Sequence, residues 1–372
     1  MVAAALVAAG LVLPGYQRGA AFVLRAADIH GWAEPIAAFG ELAYRTTAVT
    51  VPSRHGRLAA RIYRPQGAVR RGVVLVPGVH AAGIDEPRLV AFAGYLAARG
   101  LAIATIELPD LKHYAITPRT TNMIEDAGVW MAGRPELAPE GRVGLMGISF
   151  AGSLAVVAAG RPALRDRTAF AFSFGGHGDL PRTLEYLCTG RQPDGQYRAP
   201  HDYGVAIILL GVADRVVPPE QVEALRHAIN VFLEASHVDM VDKRRARAIF
   251  EEARTLAARM PEPAGTYMRY VNARDVGRLG PVVLPHVAAL AGDAALSAER
   301  SPAPRAPVYL LHGSDDNVIP AVESTLLARH LAPATDVRLL LTPLITHAEL
   351  DRPVDVVEIG KLIWFWTAVL DE

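Results

Sequence analysis

Three observations predict that this chain folds as an α/β protein around a mostly parallel sheet. Short, continuous apolar runs at residues 72–76 and 101–106 are typical of buried strands. Between these runs, residues 88–99 repeat apolar side chains at helical spacing, which predicts a strand–helix–strand crossover. The same alternation continues through residues 143–174. A layered sheet with helices on its faces follows from this order.

Length and composition place the chain among large globular proteins. Its 372 residues are 51% hydrophobic and 20% charged, which is enough apolar material for a large core. Lys plus Arg and Asp plus Glu both number 38, so no net field attracts a polyanion, and we expect no nucleic-acid partner. Cys188 is the single cysteine, which excludes an internal disulfide, a cysteine zinc site and a CxxC redox pair.

The first 45 residues form an apolar N-terminal segment, which we expect to be helical and packed on the body of the protein. Residues 1–14 are too few to span a bilayer as a helix. A signal peptide would carry a basic residue before its apolar region, whereas the first one here is Arg18. The sequence therefore favours a cytoplasmic protein and leaves open export, or membrane contact through residues 1–14.

The elements before residue 175 follow one another in a simple order. Two strand-like runs, residues 46–52 and 58–63, are joined through a glycine turn and predict an antiparallel hairpin at a sheet edge. The alternating strands and helices then fall at residues 72–76, 88–99, 101–106, 122–131, 143–148, 150–160 and 169–174. These elements predict the first part of one sheet.

Residues 176–306 interrupt this alternation. The segment is mostly helical, with helices predicted at residues 218–236 and 243–260. The sheet pattern then resumes with strands at residues 307–311 and 337–341 and helices at residues 321–331 and 354–370. We therefore expect a catalytic domain of residues 46–175 and 307–372, with residues 176–306 inserted as a helical cap before the last two strands.

Small residues bracket one serine at the end of an apolar strand. Residues 143–148 run into Ser149, with Gly147 before it and Gly152 after it. A serine hydroxyl acts as a nucleophile when a sharp strand-to-helix turn exposes it between neighbours without bulk. The pattern is G-x-S-x-G, except that Ala151 stands at the fifth position. Serines among small residues also occur in ordinary turns, so the surrounding sequence must decide.

Later strand ends supply the two partners that such a serine needs. Ligands bind beyond the carboxyl ends of parallel strands, so a base and an acid are expected at the same edge of the sheet. His347 follows the strand at residues 337–341, and an acidic pair, Asp315 and Asp316, follows the strand at residues 307–311. The order along the chain is serine, acid, histidine.

In these three motifs the chain resembles the α/β-hydrolase family, over residues 46–372 apart from the cap. The family's acid motif, a glycine, two residues, an aspartate and a later proline, is matched by Gly313, Asp316 and Pro320. The resemblance implies that Asp316 is the triad acid and that Asp315 caps the turn. It also implies that the carboxylate of Asp316 accepts the Nδ1 hydrogen bond of His347 and fixes its tautomer.

A second aspartate competes for the role of the acid. Residues 211–218 repeat the acid pattern and place Asp214 after the apolar run 206–210, which could itself be a strand. We favour Asp316, because it lies one strand–helix–strand unit before His347, as the order of the fold requires. Asp214 is then expected to start a helix or to form an ion pair.

Two backbone N–H groups are expected to stabilise the oxyanion of the reaction. The resemblance implies one from Phe150, the residue after the nucleophile. It implies the other from the loop after the first parallel strand, residues 76–83, where Val79 is the candidate and His80 the alternative. His80 is also a candidate for contact with the substrate, and hydrogen bonding to nearby backbone is the other interpretation of its role.

The resemblance implies a carboxylic ester hydrolase that works through an acyl-enzyme on Ser149, Asp316 and His347. A thioesterase, lactonase or peptidase would use the same residues, and a binding module on this fold is the non-enzymatic alternative. We expect no cofactor and no metal, because no HExxH, GxGxxG or GxxxxGK motif is present. The expected partner is a small-molecule ester; its acyl and alcohol parts and the oligomeric state are not specified by the sequence.

Overall fold

A computed structural model describes residues 14–27, 34–239, 242–346, 349–350 and 356–372. The chain divides into two compact units. The first, here called the sheet unit, comprises the residues up to 178 together with 294–316 and 323–372. The second, here called the helical unit, comprises residues 179–293 and 317–322.

An eight-stranded sheet forms the centre of the sheet unit. Its strands are β1 (Tyr44–Ser53), β2 (Gly56–Pro65), β3 (Arg71–Val76), β4 (Leu101–Ile106), β5 (Val143–Ile148), β6 (Thr168–Phe174), β7 (Val308–Gly313) and β8 (Val337–Thr342). The strand order is β1-β2-β4-β3-β5-β6-β7-β8. β1 pairs with β2 in antiparallel orientation, and β2 also pairs antiparallel with β4. The strands β3 to β8 pair with one another in parallel.

This order and these directions are those of the α/β-hydrolase fold, so the predicted fold class is confirmed. The predicted edge hairpin is also present, with β1 at the edge of the sheet. A further pair of two-residue strands, Ile345–Thr346 and Glu349–Leu350, forms an antiparallel ribbon after β8. Because the parallel strands β3, β5, β6, β7 and β8 are neighbours, their carboxyl ends share one edge of the sheet.

Helices connect the parallel strands and cover both faces of the sheet. Those of the sheet unit are Pro14–Ala26, Glu34–Ala37, Pro87–Ala97, Pro109–Lys112, Pro118–Ala132, Phe150–Gly160, Val322–Leu331 and Val356–Asp371. Short 3₁₀ turns lie at Gly83–Asp85, Ala294–Leu296 and Ala298–Arg300. The strands between the helices are buried on both sides, which explains why their sequences are continuous apolar runs rather than alternating ones.

An aromatic cluster anchors the N-terminal helix of the described chain to the sheet. The ring of Phe22 lies 4.4 Å from that of Trp366, which in turn lies 5.1 Å from Phe172 of β6. All three side chains are buried. Burying a side chain of this size stabilises a fold by about 1.5–3 kcal/mol. The helix Pro14–Ala26 is therefore an integral part of the sheet unit.

The regular elements that the structure describes in the helical unit are helices. They lie at Leu180–Thr189, Asp202–Val216, Pro219–Asp239, Lys243–Arg259, Ala264–Asn272, Val276–Val283 and Val287–Ala291, with a 3₁₀ turn at Leu284–His286. Asp202 accepts a hydrogen bond from Arg274 at 2.7 Å and lies 3.1 Å from the Nδ1 atom of His201. Burial raises the pKa of Asp202, but these two partners outweigh it and bring the pKa to about 2.

The bounds of the helical unit differ from the predicted cap of residues 176–306. Residues 294–306 belong to the sheet unit, because hydrogen bonds tie their first two turns to it. The N–H of Ala298 donates to the hydroxyl of Ser153 at 3.2 Å, and the Nε2 atom of His177 lies 2.8 Å from the carbonyl oxygen of Leu296. These contacts join side chains to backbone over more than 100 residues of sequence, which a pattern of helical periodicity does not reveal.

Residues 1–13, which include most of the predicted apolar N-terminal stretch, lie outside the described residues. Within the part of the chain that the structure describes, no helix combines the length and the apolar character needed to cross a bilayer. Over the same residues, no three His, Cys, Asp or Glu side chains are grouped so that they could hold a metal ion.

Candidate active site

Ser149 occupies the sharp turn between β5 and the helix Phe150–Gly160. Its backbone has φ 55° and ψ −133°, a conformation that a residue other than glycine seldom adopts. Hydrogen bonds on both sides hold this conformation: the N–H of Ser149 donates to Phe174 at 2.7 Å, and its carbonyl accepts from Gly152 at 2.8 Å. A turn of this shape between a strand and a helix exposes a serine hydroxyl at the end of the strand.

Glycines around Ser149 allow a close approach of backbone that side chains would prevent. A Cβ at Gly147 would overlap the backbone of Ala151, and a Cβ at Gly152 would overlap the hydroxyl of Ser173. A Cβ at Gly78, in the loop after β3, would lie 3.3 Å from the Cβ of Ser149. The methyl of Ala151 is fully buried and fits, so the departure from the strict G-x-S-x-G pattern leaves the turn intact.

Phe150 is the first residue of the helix that follows Ser149. Backbone N–H groups in the first turn of a helix lack intrahelical partners and favour a negative charge nearby. The side chain of Phe150 is 5% exposed, and its ring lies 5.5 Å from that of His177. The N–H of Phe150 follows Ser149 directly and lies in the first turn of the helix, the position predicted for an oxyanion donor.

Asp316 lies in the turn after β7 and is only 2% exposed. Its N–H donates to the carbonyl of Gly313 at 3.2 Å, which fixes the turn. Its Oδ2 atom lies 3.4 Å from the Nε2 atom of His312, and the Nδ1 atom of His312 lies 2.7 Å from the hydroxyl of Ser324. The neighbouring Asp315 is exposed.

Hydrogen bonds across the strand ends bring the serine turn and the acid turn to one edge of the sheet. The N–H of Ser149 bonds to Phe174 at the end of β6, and the N–H of Gly175 bonds to Leu311 of β7 at 2.8 Å. A Cβ at Gly175 would lie 3.5 Å from the Oδ2 atom of Asp316. The end of β6 therefore separates the two predicted catalytic side chains, as the parallel order of β5, β6 and β7 dictates.

His347, the predicted base, lies outside the described residues. The strand that precedes it, β8, ends at Thr342, which pairs with Gly313 of β7. The N–H of Ser314 donates to the carbonyl of Thr342 at 3.0 Å. The chain that leads to His347 thus leaves the sheet at the same edge as Ser149 and Asp316.

The competing acid, Asp214, is not at a strand end. The apolar run 206–210 that precedes it is part of the helix Asp202–Val216, so the alternative with a strand there is wrong. Asp214 lies in the last turn of this helix rather than at its start, is exposed, and lies 3.4 Å from the guanidinium of Arg226. Asp214 therefore forms the expected ion pair and does not start a helix.

The loop after β3 carries both candidates for the second oxyanion donor. Val79 follows Gly78 directly, and both are partly buried. The Nδ1 atom of His80 accepts a hydrogen bond from the N–H of Ala82 at 3.2 Å, so the proton of the neutral ring sits on Nε2. His80 thus has the backbone contact that one of the two interpretations of this residue expected.

Two charged residues beside this loop were not found by reading the sequence. Glu107 directly follows β4, and its carboxylate accepts the N–H of Ile84 at 3.0 Å. Arg61, on β2, donates to the carbonyl of the same residue at 3.1 Å. The position of Glu107 after the apolar run 101–106 was a signal that could have been used. Arg61 lies within the edge hairpin and gave no comparable signal.

Comparison with known proteins gives structural likenesses only. Neither a protein-family model nor a curated protein matches the chain. An esterase from Pyrobaculum calidifontis is 14% identical with a TM-score of 0.49, and the alignment covers 96% of this chain and 92% of the esterase. A thermostable carboxylesterase cloned from a metagenomic library is 15% identical with a TM-score of 0.49, over 90% of this chain and 91% of that one.

A dienelactone hydrolase from Anabaena variabilis is 17% identical with a TM-score of 0.44, over 88% of this chain and 98% of the other. At such identities and TM-scores these likenesses do not determine the activity of this protein. The assignment of the α/β-hydrolase fold rests on the order and directions of the strands.

Proposed function

We propose that the protein is a serine hydrolase that cleaves small-molecule carboxylic esters through an acyl-enzyme on Ser149. The observation that carries this proposal is the strained turn of Ser149, with φ 55°, held between β5 and the helix Phe150–Gly160. Backbone strain of this kind costs about 1–3 kcal/mol and clusters at active sites. At the carboxyl end of a parallel strand and the start of a helix, it exposes a serine hydroxyl for reaction.

In the proposed reaction, the imidazole of His347 takes the proton from the Oγ atom of Ser149 as that atom bonds to the ester carbonyl carbon. The tetrahedral intermediate collapses, the bond to the alcohol oxygen breaks, and the imidazolium returns the proton to the alcohol. Water then attacks the acyl-enzyme by the same route and releases the acid. Esters are the natural substrates because an alcohol leaves more readily than an amine.

The oxyanion of this intermediate would be stabilised by the N–H of Phe150 and by a second N–H from the loop after β3. Gly78 supports this assignment, because its close contact with Ser149 brings the following peptide, that of Val79, near the nucleophile. Each such donor is worth about 10²–10³-fold in kcat. His80 is the neighbouring alternative for the second donor.

Asp316 is proposed as the acid that orients His347. Its burial, its position after β7 and its proximity to Gly175 at the end of β6 support this role. A buried carboxylate needs hydrogen-bond donors. In a triad, the imidazole N–H of the histidine is such a donor, and the bond orients the ring. Asp214, by contrast, is exposed and lies on a helix rather than at a strand end.

Hydrolysis of p-nitrophenyl esters of increasing acyl length tests the proposal and defines the acyl specificity. We expect the wild type to hydrolyse short esters and Ser149→Ala to lose about 10⁵–10⁶-fold in kcat. A fluorophosphonate should label the wild-type chain at Ser149 and should fail to label the variant. His347→Gln tests the base and should lose activity to a similar extent.

Thr183→Ala serves as a matched control for Ser149→Ala, because it removes a buried hydroxyl that donates to the backbone carbonyl of Asp179 within the helical unit. Its esterase activity should equal that of the wild type. If the folded wild type neither hydrolyses any activated ester nor reacts with the fluorophosphonate, the proposed function is wrong and a binding module becomes the better hypothesis.

A further inference from the structure

We propose that Glu107, together with Arg61, is a positioning residue that fixes the oxyanion loop, defined here as residues 78–83. The inference rests on the proposed function, because it concerns the loop that would supply the second oxyanion donor. It assigns to two charged side chains outside the triad a specific task in the reaction. The task is to hold a backbone N–H at the place where negative charge develops.

The two side chains bond to the backbone of one residue, Ile84: one to its N–H and the other to its carbonyl. The Oε2 atom of Glu107 accepts the N–H of Ile84 at 3.0 Å, and the Nη1 atom of Arg61 donates to the carbonyl of Ile84 at 3.1 Å. The guanidinium of Arg61 also pairs with Asp85. Hydrogen bonds with a charged partner are about twice as strong as neutral ones, so this arrangement holds the turn firmly.

The turn at Ile84 continues directly into the oxyanion loop. The N–H of Gly83 donates to the carbonyl of His80 at 3.0 Å, and the N–H of Ala82 donates to the ring of His80 at 3.2 Å. Gly83 has φ 52°, and a Cβ there would overlap the carboxylate of Glu107. The carboxylate therefore packs directly against the backbone of the loop as well as bonding to the next residue.

Both the backbone and the side chain of Glu107 have bonding partners of their own. Its N–H donates to the carbonyl of Ala59 on β2 at 2.9 Å, and its side chain is only 14% exposed. Its Oε1 atom forms an ion pair with the Nζ atom of Lys112 at 2.5 Å. This hydrogen bond is the main reason why the pKa of Lys112 is raised above its ordinary value. The carboxylate thus has separate partners for its two oxygen atoms.

The other end of the loop is fixed by the nucleophile turn. A Cβ at Gly78 would lie 3.3 Å from Ser149 and 3.4 Å from the carbonyl oxygen of Ile148. Val79 and His80, the two candidate donors, therefore lie between one anchor at Ser149 and another at Glu107. Displacement of a reacting group by about 1 Å can cost about 10²-fold in rate, so loss of the second anchor should impair catalysis.

Three variants test this inference. Glu107→Ala removes the acceptor, whereas Glu107→Gln keeps an oxygen that can accept the N–H of Ile84 but loses the charge. Asp275→Ala is the matched control, because Asp275 caps the helix Val276–Val283 by accepting the N–H of Arg278 at 3.0 Å. It removes a carboxylate–backbone bond within the helical unit and leaves the bonds to Ile84 in place.

We expect Glu107→Ala to lower kcat by about 10- to 100-fold with KM changed by less than about twofold. Its affinity for a trifluoromethyl ketone, which mimics the tetrahedral intermediate, should fall in parallel with kcat. Glu107→Gln should recover most of the lost kcat. Asp275→Ala should lower the melting temperature while its kcat equals that of the wild type.

Hydrogen exchange gives a readout that does not depend on activity. The amide of Ile84 and those of residues 79–83 should exchange at least about 10-fold faster in Glu107→Ala than in the wild type, and Asp275→Ala should leave them unchanged. If these amides keep their protection, or if an active Glu107→Ala has the kcat of the wild type, the inference is overturned. If the wild type is inactive while the exchange result holds, the proposed function fails and the anchoring of the loop stands.

Discussion

The Nε2 atom of His312 lies 3.4 Å from the Oδ2 atom of Asp316, and solvent reaches neither side chain to any extent. Because an ionised carboxylate can only accept, the proton of a neutral His312 ring sits on Nε2 and faces Asp316. The hydroxyl of Ser324 then donates to Nδ1, which lies 2.7 Å away. The carboxylate of the proposed acid therefore faces the ring N–H of a histidine four residues before it in sequence.

Replacing His312 should destabilise the protein. His312→Ala would remove a fully buried ring and leave the hydroxyl of Ser324 without this partner, so we expect a loss of about 2–4 kcal/mol in the free energy of unfolding. His312→Gln should lose less, because an amide can replace part of the hydrogen bonding. Urea denaturation checks both values, and an unchanged midpoint in His312→Ala would contradict the role given to this contact.

The two candidate acids can be compared directly. Asp316→Asn should lower kcat by about 10³–10⁴-fold, because an amide cannot stabilise the imidazolium of His347. Asp214→Asn should leave kcat within about twofold of the wild type, since it removes only an exposed ion pair. Steady-state hydrolysis of a p-nitrophenyl ester measures both. A larger loss in Asp214→Asn would reverse the assignment.

The serine turn should not tolerate a methyl at Gly147. A Cβ there overlaps the backbone of Ala151, which cannot move without deforming the helix Phe150–Gly160. We expect Gly147→Ala to lose about 2–4 kcal/mol of stability and most of its reactivity towards a fluorophosphonate. Gly360→Ala is the control: a Cβ there would meet no atom of the described residues within 4 Å outside its own helix backbone, and the change should raise stability by up to about 1 kcal/mol.

Stability in acid should depend on Asp202 of the helical unit. Burial raises its pKa, but His201 and Arg274 outweigh this effect and lower the pKa from 3.8 to about 2. A lowered pKa stabilises the folded state above about pH 4, and this contribution is lost as the pH falls from about 4 to about 2. Allowing for partial solvent screening, we expect it to be worth about 1 kcal/mol.

Thermal unfolding of Asp202→Asn between pH 2 and pH 7 measures this contribution. The variant should be less stable than the wild type at pH 7, and the difference should disappear near pH 2. Asp214→Asn, an exposed change on the same helix, should show no comparable dependence on pH. A difference that persists undiminished at pH 2 would show that the carboxylate of Asp202 does not act through its charge.

The sequence predicted the strands of the sheet well, because buried parallel strands leave continuous apolar runs. Residues 101–106 and the helix at residues 150–160 coincide with the observed elements. The Ser149 turn was also recognisable, since Gly147 is required by a close contact with Ala151, four residues later. Local constraints of this kind leave a signal in the sequence around them.

Features that depend on distant residues were not predictable in this way. The first segment of the helical unit ends at residue 293, because later residues such as Ala298 bond to Ser153, far away in sequence. The contact of Glu107 with Ile84 joins the end of β4 to the 3₁₀ turn Gly83–Asp85, 23 residues earlier in sequence. Neither contact leaves a periodic pattern or a motif in the sequence, because each joins a single pair of residues that are close only in three dimensions.

Ala151 has a practical consequence for finding proteins of this kind in genomes. A search pattern that insists on glycine at the fifth position of the serine motif would pass over this chain. The residue whose missing side chain lets the helix approach β6 is Gly152, one position later, where a Cβ would strike Ser173. A pattern that accepts alanine at position 151 when glycine follows would retrieve sequences that use this shifted arrangement.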